Sequence, residues 1–383
     1  MGRNAQGGGT IRQRPDGRWE ARYTAGRNPG TGKQIQRSIY GKTQGEVRKK
    51  LQAACSAIDN GTYTAPVKLT VGKWLEAWLS EYVEGNVKPN TYVSYEMISR
   101  VHLSPAMGAI PLQGLNTHTI QTFYRTLSKS GLSPKTVKNI HGVLHKALDK
   151  AVRIGYVNFN PATFCELPKM EKVEIKPLTE DDIKAFLQIV SNTEYEYLYI
   201  VTLFTGMREG EILGLTWDSV DFKNGTITVN KQLQRERQKN GVYRLVPTKS
   251  GNIRVICPAS YVMDSLAREK KRQAQNRLRA GALWDNEMNL VFTNALGRYM
   301  EKQTVYRHFK KAVSAVGVPD ARFHDLRHTY AVTALQEGDN IKTVQEALGH
   351  ATASFTLDVY GHVSDKMKKE SAQRMDAFIK NIK

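Results

Sequence analysis

The sequence predicts a multidomain protein: a small three-stranded β-sheet plus helix, then an all-α bundle, then an α-rich α+β domain. Three observations predict it. At 383 residues the chain is long enough for two or three domains, each with its own core. Residues 10–58 alternate polar and apolar side chains, 70–158 repeat apolar positions at helical spacing, and 178–383 mix both patterns. Two aperiodic stretches, Asn60–Lys68 and the proline-bounded Pro161–Pro177, separate these regions, so the expected domains are 1–60, 68–160 and 177–383.

The opening MGRNAQGGG is too polar and glycine-rich to build a core. After it, TIRQRPDGRWEARYTAG and KQIQRSIYG alternate around Asp16-Gly17 and the Asn28–Gly32 turn cluster, which predicts strands over about 10–14, 18–25 and 33–40. Thr43 and Glu46 form a capping box that opens a helix running to about Ile58. Arg12, Arg14, Arg18, Arg22, Arg27, Lys33 and Arg37 crowd this sheet, with Trp19, Tyr23 and Tyr40 among them. Singly, each is an ordinary solvated strand residue; together they read as a ribbon lying in a DNA groove, with Arg12, Arg14, Arg18 and Arg22 as candidate contacts.

In the bundle, Val71, Trp74, Leu75, Trp78 and Leu79 make one apolar helix face. Lys88-Pro89-Asn90-Thr91 stops and restarts the chain, and Asn116 or Thr117 caps a helix containing Ile120, Phe123, Tyr124 and Leu127. Ser133-Pro134 opens a fourth helix whose face runs Val137, Ile140, Val143, Leu144, Ala147, Leu148 and Val152. Lys88, Asn90, Lys135 and Lys138 stand at helix starts, where side chains of this kind clamp phosphates; as single residues they are also ordinary surface charges.

The last region opens on a second capping box, Thr179 with Asp182. Helices follow near 180–191, 194–205 and from Arg208, then strands near 226–231, 242–248 and 252–257, then helices. Arg208 and Glu211 are three apart, usually the mark of a weak surface ion pair. Here Arg208 stands straight after a Thr205-Gly206 break at the head of an apolar helix, where a guanidinium can be held rigidly towards phosphate oxygens. Lys249-Ser250-Gly251-Asn252 reads as a tight turn between two strands, Val242–Thr248 and Ile253–Cys257. A lysine at a hairpin tip is usually solvent-exposed, but beside the other residues it could reach a phosphate in a DNA groove. Further on, His324 and Arg327 share a helix face, while His328 reads as a packing or surface residue. Asn340 caps a short helix with Ile341, Val344 and Leu348 on one side, and Gly349 stops it in the left-handed conformation, leaving His350 just beyond. Tyr360 sits in a further amphipathic turn with Phe355 and Val359. This set of polar groups suits an anion better than packing.

The formal charge of +20, from 56 Lys and Arg against 36 Asp and Glu, favours a polyanionic partner. Cys55, Cys165 and Cys257 are odd in number and far apart, indicating neither a disulfide framework nor a zinc site. No apolar leader or 18-residue apolar run occurs, which predicts a protein without a membrane partner, in the cytoplasm. No carboxylate cluster with metal spacing and no phosphate-binding GxxxxGK[ST] loop accompanies the basic residues, so no metal, ATP or other cofactor is expected.

TGMREGEILGLTW, the PTKSG turn, HDLRHTYA, EALGH and Tyr360-Gly361-His362 resemble, in order and spacing, the signature boxes of tyrosine recombinases. More narrowly, the chain is similar to integrases of temperate phages and conjugative transposons of Gram-positive bacteria. The resemblance implies an arm-type DNA-binding domain at 1–60, a core-type SAM-like bundle at 68–160, and a tyrosine-recombinase catalytic domain with an oligomerisation tail at 177–383. It implies that Arg208 and Arg327 clamp the scissile phosphate, that Lys249 protonates the leaving 5′-oxygen, and that His324 and His350 assist. Tyr360 would be the nucleophile and Glu211 the carboxylate that orients the site; Lys239 and Lys231 remain alternatives to Lys249. The implied reaction is site-specific recombination of double-stranded DNA through a 3′-phosphotyrosyl intermediate, on arm and core sites, by a homotetramer in a bacterial host's nucleoid. It integrates and excises a prophage or mobile element, commonly with an excisionase and a DNA-bending host protein. A non-catalytic DNA-binding regulator and a topoisomerase-like strand breaker are the competing readings. The amphipathic tail, with Met367, Met375, Phe378 and Ile379, packs either on its own domain or on a neighbouring protomer.

Overall fold

The computed structural model describes residues 9–27, 30–60, 63, 68–170, 176–236, 242–248, 251–349 and 365–382. The chain falls into two compact units, 1–171 and 172–383.

The first unit opens with an antiparallel sheet, β1 (Thr10–Gln13), β2 (Trp19–Arg27) and β3 (Gln34–Gly41), in that spatial order. The Asp16-Gly17 turn forms as expected: Gly17 takes φ 80°, and the Asp16 carboxylate accepts the Arg18 N–H at 3.1 Å. Strand alternation sends Ala21 and Tyr23 to the face covered by α1 (Gln44–Asp59), where they meet Val47 and Leu51. Glu20 and Arg22 therefore share the opposite face. Thr43 caps α1 at the Glu46 N–H, but the Glu46 carboxylate takes the Lys42 N–H rather than completing a capping box.

A separate core in this unit is built by α2 (Val71–Trp78), α3 (Pro89–Ile98), α4 (Ser104–Met107), α5 (Thr117–Lys129) and α6 (Pro134–Arg153). Thr70, Asn116 and Ser133 each cap a helix with a side-chain oxygen. Trp74 is buried with its indole N–H donating to the Ala147 carbonyl at 2.9 Å, so a large apolar body is buried with no polar atom stranded. Truncating such a residue to Ala costs about 3–5 kcal/mol. Single π-turns, Leu79–Val83 and Ser99–Leu103, extend α2 and α3.

The stretch expected to be an extended linker from Pro161 begins instead as part of this bundle. Asn160 accepts the Ala162 N–H and folds Pro161–Phe164 into a 3-10 turn, with Pro161 and Ala162 buried. Thr117 donates to the Pro161 carbonyl, and Gln121 holds both backbone groups of Glu166. Apolar residues at 161, 162, 165 and 167 have a surface to cover, which composition alone hid.

The second unit contains α7 (Glu180–Val190), α8 (Glu196–Thr205), α9 (Glu209–Leu213), β4 (Val220–Asp221), β5 (Thr226–Val229), β6 (Lys231–Glu236), β7 (Val242–Pro247) and β8 (Arg254–Ile256). It continues with α10 (Ser260–Ala280), α11 (Lys302–Val316), α12 (Phe323–Gln336), α13 (Ile341–Leu348) and α14 (Asp365–Ile382). Phe186, Tyr199, Phe292 and Phe309 are central to its core, and Thr179 with Asp182 forms the expected capping box on α7. The strands differ from expectation. β7 and β8 do not pair with each other; β7 pairs with β6, and β8 with β5. β5 and β6 run almost as one strand around Asn230, and β8 and β7 pair with these successive halves; Lys249 and Ser250 lie outside the described residues. Gly251, at φ 76°, donates to the Thr248 carbonyl. Among the described residues, no helix is long and apolar enough to cross a membrane.

Candidate active site

The site grows from the end of α8. Gly206 breaks that helix at φ 62°, and a Cβ there would lie 2.5 Å from Tyr330 and 2.7 Å from Leu348. Only glycine satisfies both the left-handed backbone and the close approach. The break turns Arg208 into the N-cap position of α9 and sends Glu211 into the interior, where it is 1 % exposed.

Glu211 is the hub. Arg208 Nη1 donates to its Oε1 at 2.7 Å, and the Arg208 backbone N–H donates to Oε2 at 3.0 Å. Arg254, on β8, forks onto the same carboxylate at 2.6 and 3.2 Å. Burial alone would raise this carboxyl; the hydrogen bond and charge of Arg254, then the N–H and charge of Arg208, bring it down to about 2. Glu211 is thus a fixed anion, doubly neutralised.

The guanidiniums converge on the end of α13. The last carbonyls of a helix have no partner within it and carry the negative end of its dipole. Ala347 O accepts from Arg254 Nε at 2.8 Å, Leu348 O from Arg327 Nη2 at 2.7 Å, and Gly349 O from Arg208 Nη2 at 3.1 Å. Three successive carbonyls take three arginines. Gly349 ends the helix at φ 64°, the left-handed stop the sequence predicts. Arg327, on α12 and 2 % exposed, also donates to the Gly206 carbonyl at 2.7 Å, tying the α8 break to the α13 terminus.

Asp325 steadies the start of α12 by accepting the Arg322 N–H at 2.8 Å, and His324 lies beside it. His324 keeps an accessible edge, so its desolvation is partial; that desolvation, then the charges of Arg327 and Arg208, lower its pKa. Its neutral form prevails near pH 7, leaving a ring nitrogen able to accept a proton. His328 stacks edge-on to it with centroids 4.7 Å apart, and burial followed by the neighbouring His324 depresses His328 to about 4.

The structure therefore brings Arg208, Glu211, His324 and Arg327 together. Lys249, Lys239, His350, Phe355, Val359 and Tyr360 lie outside the described residues. Lys231, the other alternative lysine, pairs with Asp218 at 3.3 Å. Arg254 is the residue that sequence reasoning missed. Its signal is an inverted strand pattern: in Ile253-Arg254-Val255 the apolar residues are exposed and the arginine is inside. Among the described residues, no group of three or more His, Cys, Asp or Glu side chains is arranged to hold a metal ion.

The candidate DNA contacts lie in the first unit. Arg12 and Arg22 both pair with Glu20, at 2.7 and 3.3 Å, Arg18 pairs with Asp16, and Arg14 stands over the Tyr40 ring. Lys88, Asn90, Lys135 and Lys138 are exposed, the first pair at the start of α3 and the second at the start of α6.

Residues 176–367 match the phage integrase family, and residues 70–128 match the phage integrase N-terminal SAM-like domain. A "Tyrosine recombinase XerC-like" protein of Caldanaerobacter subterraneus subsp. tengcongensis is 30% identical over 373 residues, covering 93% of this chain and 95% of that one. The chain belongs to the phage integrase family of tyrosine recombinases. As a member it is a DNA strand-transfer enzyme of site-specific recombination. The fold of this recombinase is that of solved integrases. The Tn1549 transposon integrase, in complex with a circular intermediate DNA, superposes with a TM-score of 0.69 at 23% identity, covering 80% of this chain and 100% of that one. Lambda integrase, as a tetramer bound to a Holliday junction, gives 0.56 at 20% identity over 93% and 96% of the two chains.

Proposed function

We propose that the recombinase exchanges DNA strands by attack of the Tyr360 phenol oxygen on a phosphorus held by Arg208 and Arg327. The P–O5′ bond breaks, leaving a 3′-phosphotyrosyl link and a 5′-hydroxyl; attack by a second strand's 5′-hydroxyl reverses the step. One phosphodiester replaces another and the bond energy is conserved, so no nucleotide cofactor is consumed. His324 accepts the phenol proton or steadies the phosphate, His350 donates a hydrogen bond to it, and Lys249 protonates the departing oxygen. The observation that carries this reading is the pair of guanidiniums, Arg208 and Arg327, fixed on Gly349 O and Leu348 O, the two residues that precede His350. Fixed cations of this kind stabilise charge as it builds on the phosphoryl oxygens, with little reorganisation at the moment of reaction. Arg208 keeps 26% of its side chain accessible, enough to present an edge to an anion.

The wider assignment follows the same reading. Residues 1–60 bind arm-type sites, 68–160 grip the core site with Lys88, Asn90, Lys135 and Lys138, and 177–383 carry catalysis. Four protomers act on two duplexes to integrate and excise a mobile element or prophage in a bacterial nucleoid, with an excisionase and a DNA-bending host protein as accessory partners. The lambda tetramer on a Holliday junction supports the stoichiometry. Exposed Met375, Phe378, Ile379 and Ile382 on α14 support docking of the tail on a neighbouring protomer.

A core-site duplex nicked beside the cleavage point tests the chemistry, because loss of the short fragment traps the covalent complex. The expected result is a protein–DNA adduct formed in EDTA and absent from Tyr360→Phe. An adduct formed by Tyr360→Phe would overturn the assignment of the nucleophile; none from the parent chain would favour a DNA-binding regulator.

A further inference from the structure

We infer that Arg254 is a positioning residue of the recombination site, one guanidinium that locks the Glu211–Arg208 pair and the end of α13 to strand β8. All three of its nitrogens are committed to protein acceptors: Nη1 and Nη2 to the two Glu211 oxygens, and Nε to the Ala347 carbonyl. Its side chain is 10% exposed against 26% for Arg208. A lysine could supply the charge, but only a planar fork matches two carboxylate oxygens while presenting a third N–H sideways to a carbonyl. Gly349 permits the approach, since a Cβ there would press on Arg254 at 3.1 Å from Cδ and 3.2 Å from Nη1.

The consequence is mechanical. β8 begins at Arg254, while Glu211 aims Arg208 and Ala347 lies in the last turn of α13. Without Arg254, Glu211 keeps one guanidinium partner instead of two, and a terminal carbonyl of α13 loses its donor. Arg208 would then be aimed less firmly, and a misplacement of about 1 Å in a reacting geometry costs about 100-fold in rate. This role rests on the recombination reading above; the tie itself does not.

The test uses the full chain with Arg254→Met, which keeps length without bonds, and Arg254→Lys, which keeps the charge. Single-turnover adduct formation on the nicked core-site duplex should fall about 100-fold in Arg254→Met and about 10-fold in Arg254→Lys, with core-site DNA affinity changed less than about threefold. Amide hydrogen exchange in residues 345–349 should rise at least about tenfold in Arg254→Met while α11 stays protected. Cleavage within about twofold of the parent in both variants, or affinity lost in step with cleavage, overturns the positioning role. Unchanged exchange in 345–349 overturns the tie. If the parent forms no Tyr360-dependent adduct, the recombination reading fails separately, and the exchange data still decide the tie.

Discussion

Glu20 on the N-terminal sheet and Glu211 at α9 are built alike: each is 1% exposed, holds two arginines, and is pulled down to about 2. The arginines differ. Those on Glu20, Arg12 and Arg22, leave 58% and 52% of their side chains in solvent. Those on Glu211 leave 26% and 10%, and each also caps a helix carbonyl. An exposed pair is screened by water and salt and contributes little beyond orienting two cations on a surface. A buried pair locked at both ends fixes charge in a low-dielectric site, where charge developing on a substrate feels it strongly. The first arrangement suits sliding contact with a polyanion; the second suits chemistry on one phosphate.

Breaking the two pairs should have unequal effects. Arg208→Ala should lower single-turnover cleavage of core-site DNA by about 10³-fold, whereas Arg12→Ala should leave that rate within about twofold. Arg12→Ala should instead weaken arm-site binding and reduce its salt dependence by about one phosphate contact, measured by anisotropy titrations across salt concentrations. Equal cleavage losses in both variants would erase the distinction.

The pH profile sharpens it. Because crowding and the charges of Arg327 and Arg208 depress His324, cleavage followed down from pH 8 should reach half its rate only below the ordinary histidine value of 6.5. Below the midpoint it should fall by about tenfold per further unit as the imidazole is protonated. A profile already half lost at or above pH 6.5 would show a histidine that the arginines do not depress.

The smallest expected effect is on acid stability. Glu211 has a folded pKa near 2 against 4.5 when unfolded, so its contribution is present above 4.5 and lost as pH falls from there towards 2. The shift corresponds to about 3 kcal/mol at most. Unfolding titrations of Glu211→Gln should therefore show a shallower loss of stability across that window, while Glu20→Gln, behind its screened arginines, should alter it less. A larger change from Glu20→Gln would reverse the ranking.

Much of this site is legible in the sequence because its signals are local. Arg208 and Glu211 at a three-residue spacing, the Gly206 break, the Asn340 cap and the Gly349 stop each follow from one turn of chain. Arg254 is not legible, because its acceptors lie 43 and 93 residues away and an arginine in a short strand ordinarily points outward. The strand pairing fails for a similar reason. Local alternation marks where β7 and β8 are, but their partners are chosen by a strand that continues through Asn230. Asn160 marks the same limit at the end of the bundle: capping chemistry turned an apparent linker into buried structure.

The most direct measurement is peptide mapping of the covalent adduct formed by the parent chain on nicked core-site DNA, after nuclease digestion, by mass spectrometry. The account predicts a nucleotide remnant on Tyr360 alone, with the adduct lost in Arg208→Ala. A remnant on any other residue, or an undiminished adduct in Arg208→Ala, would contradict it.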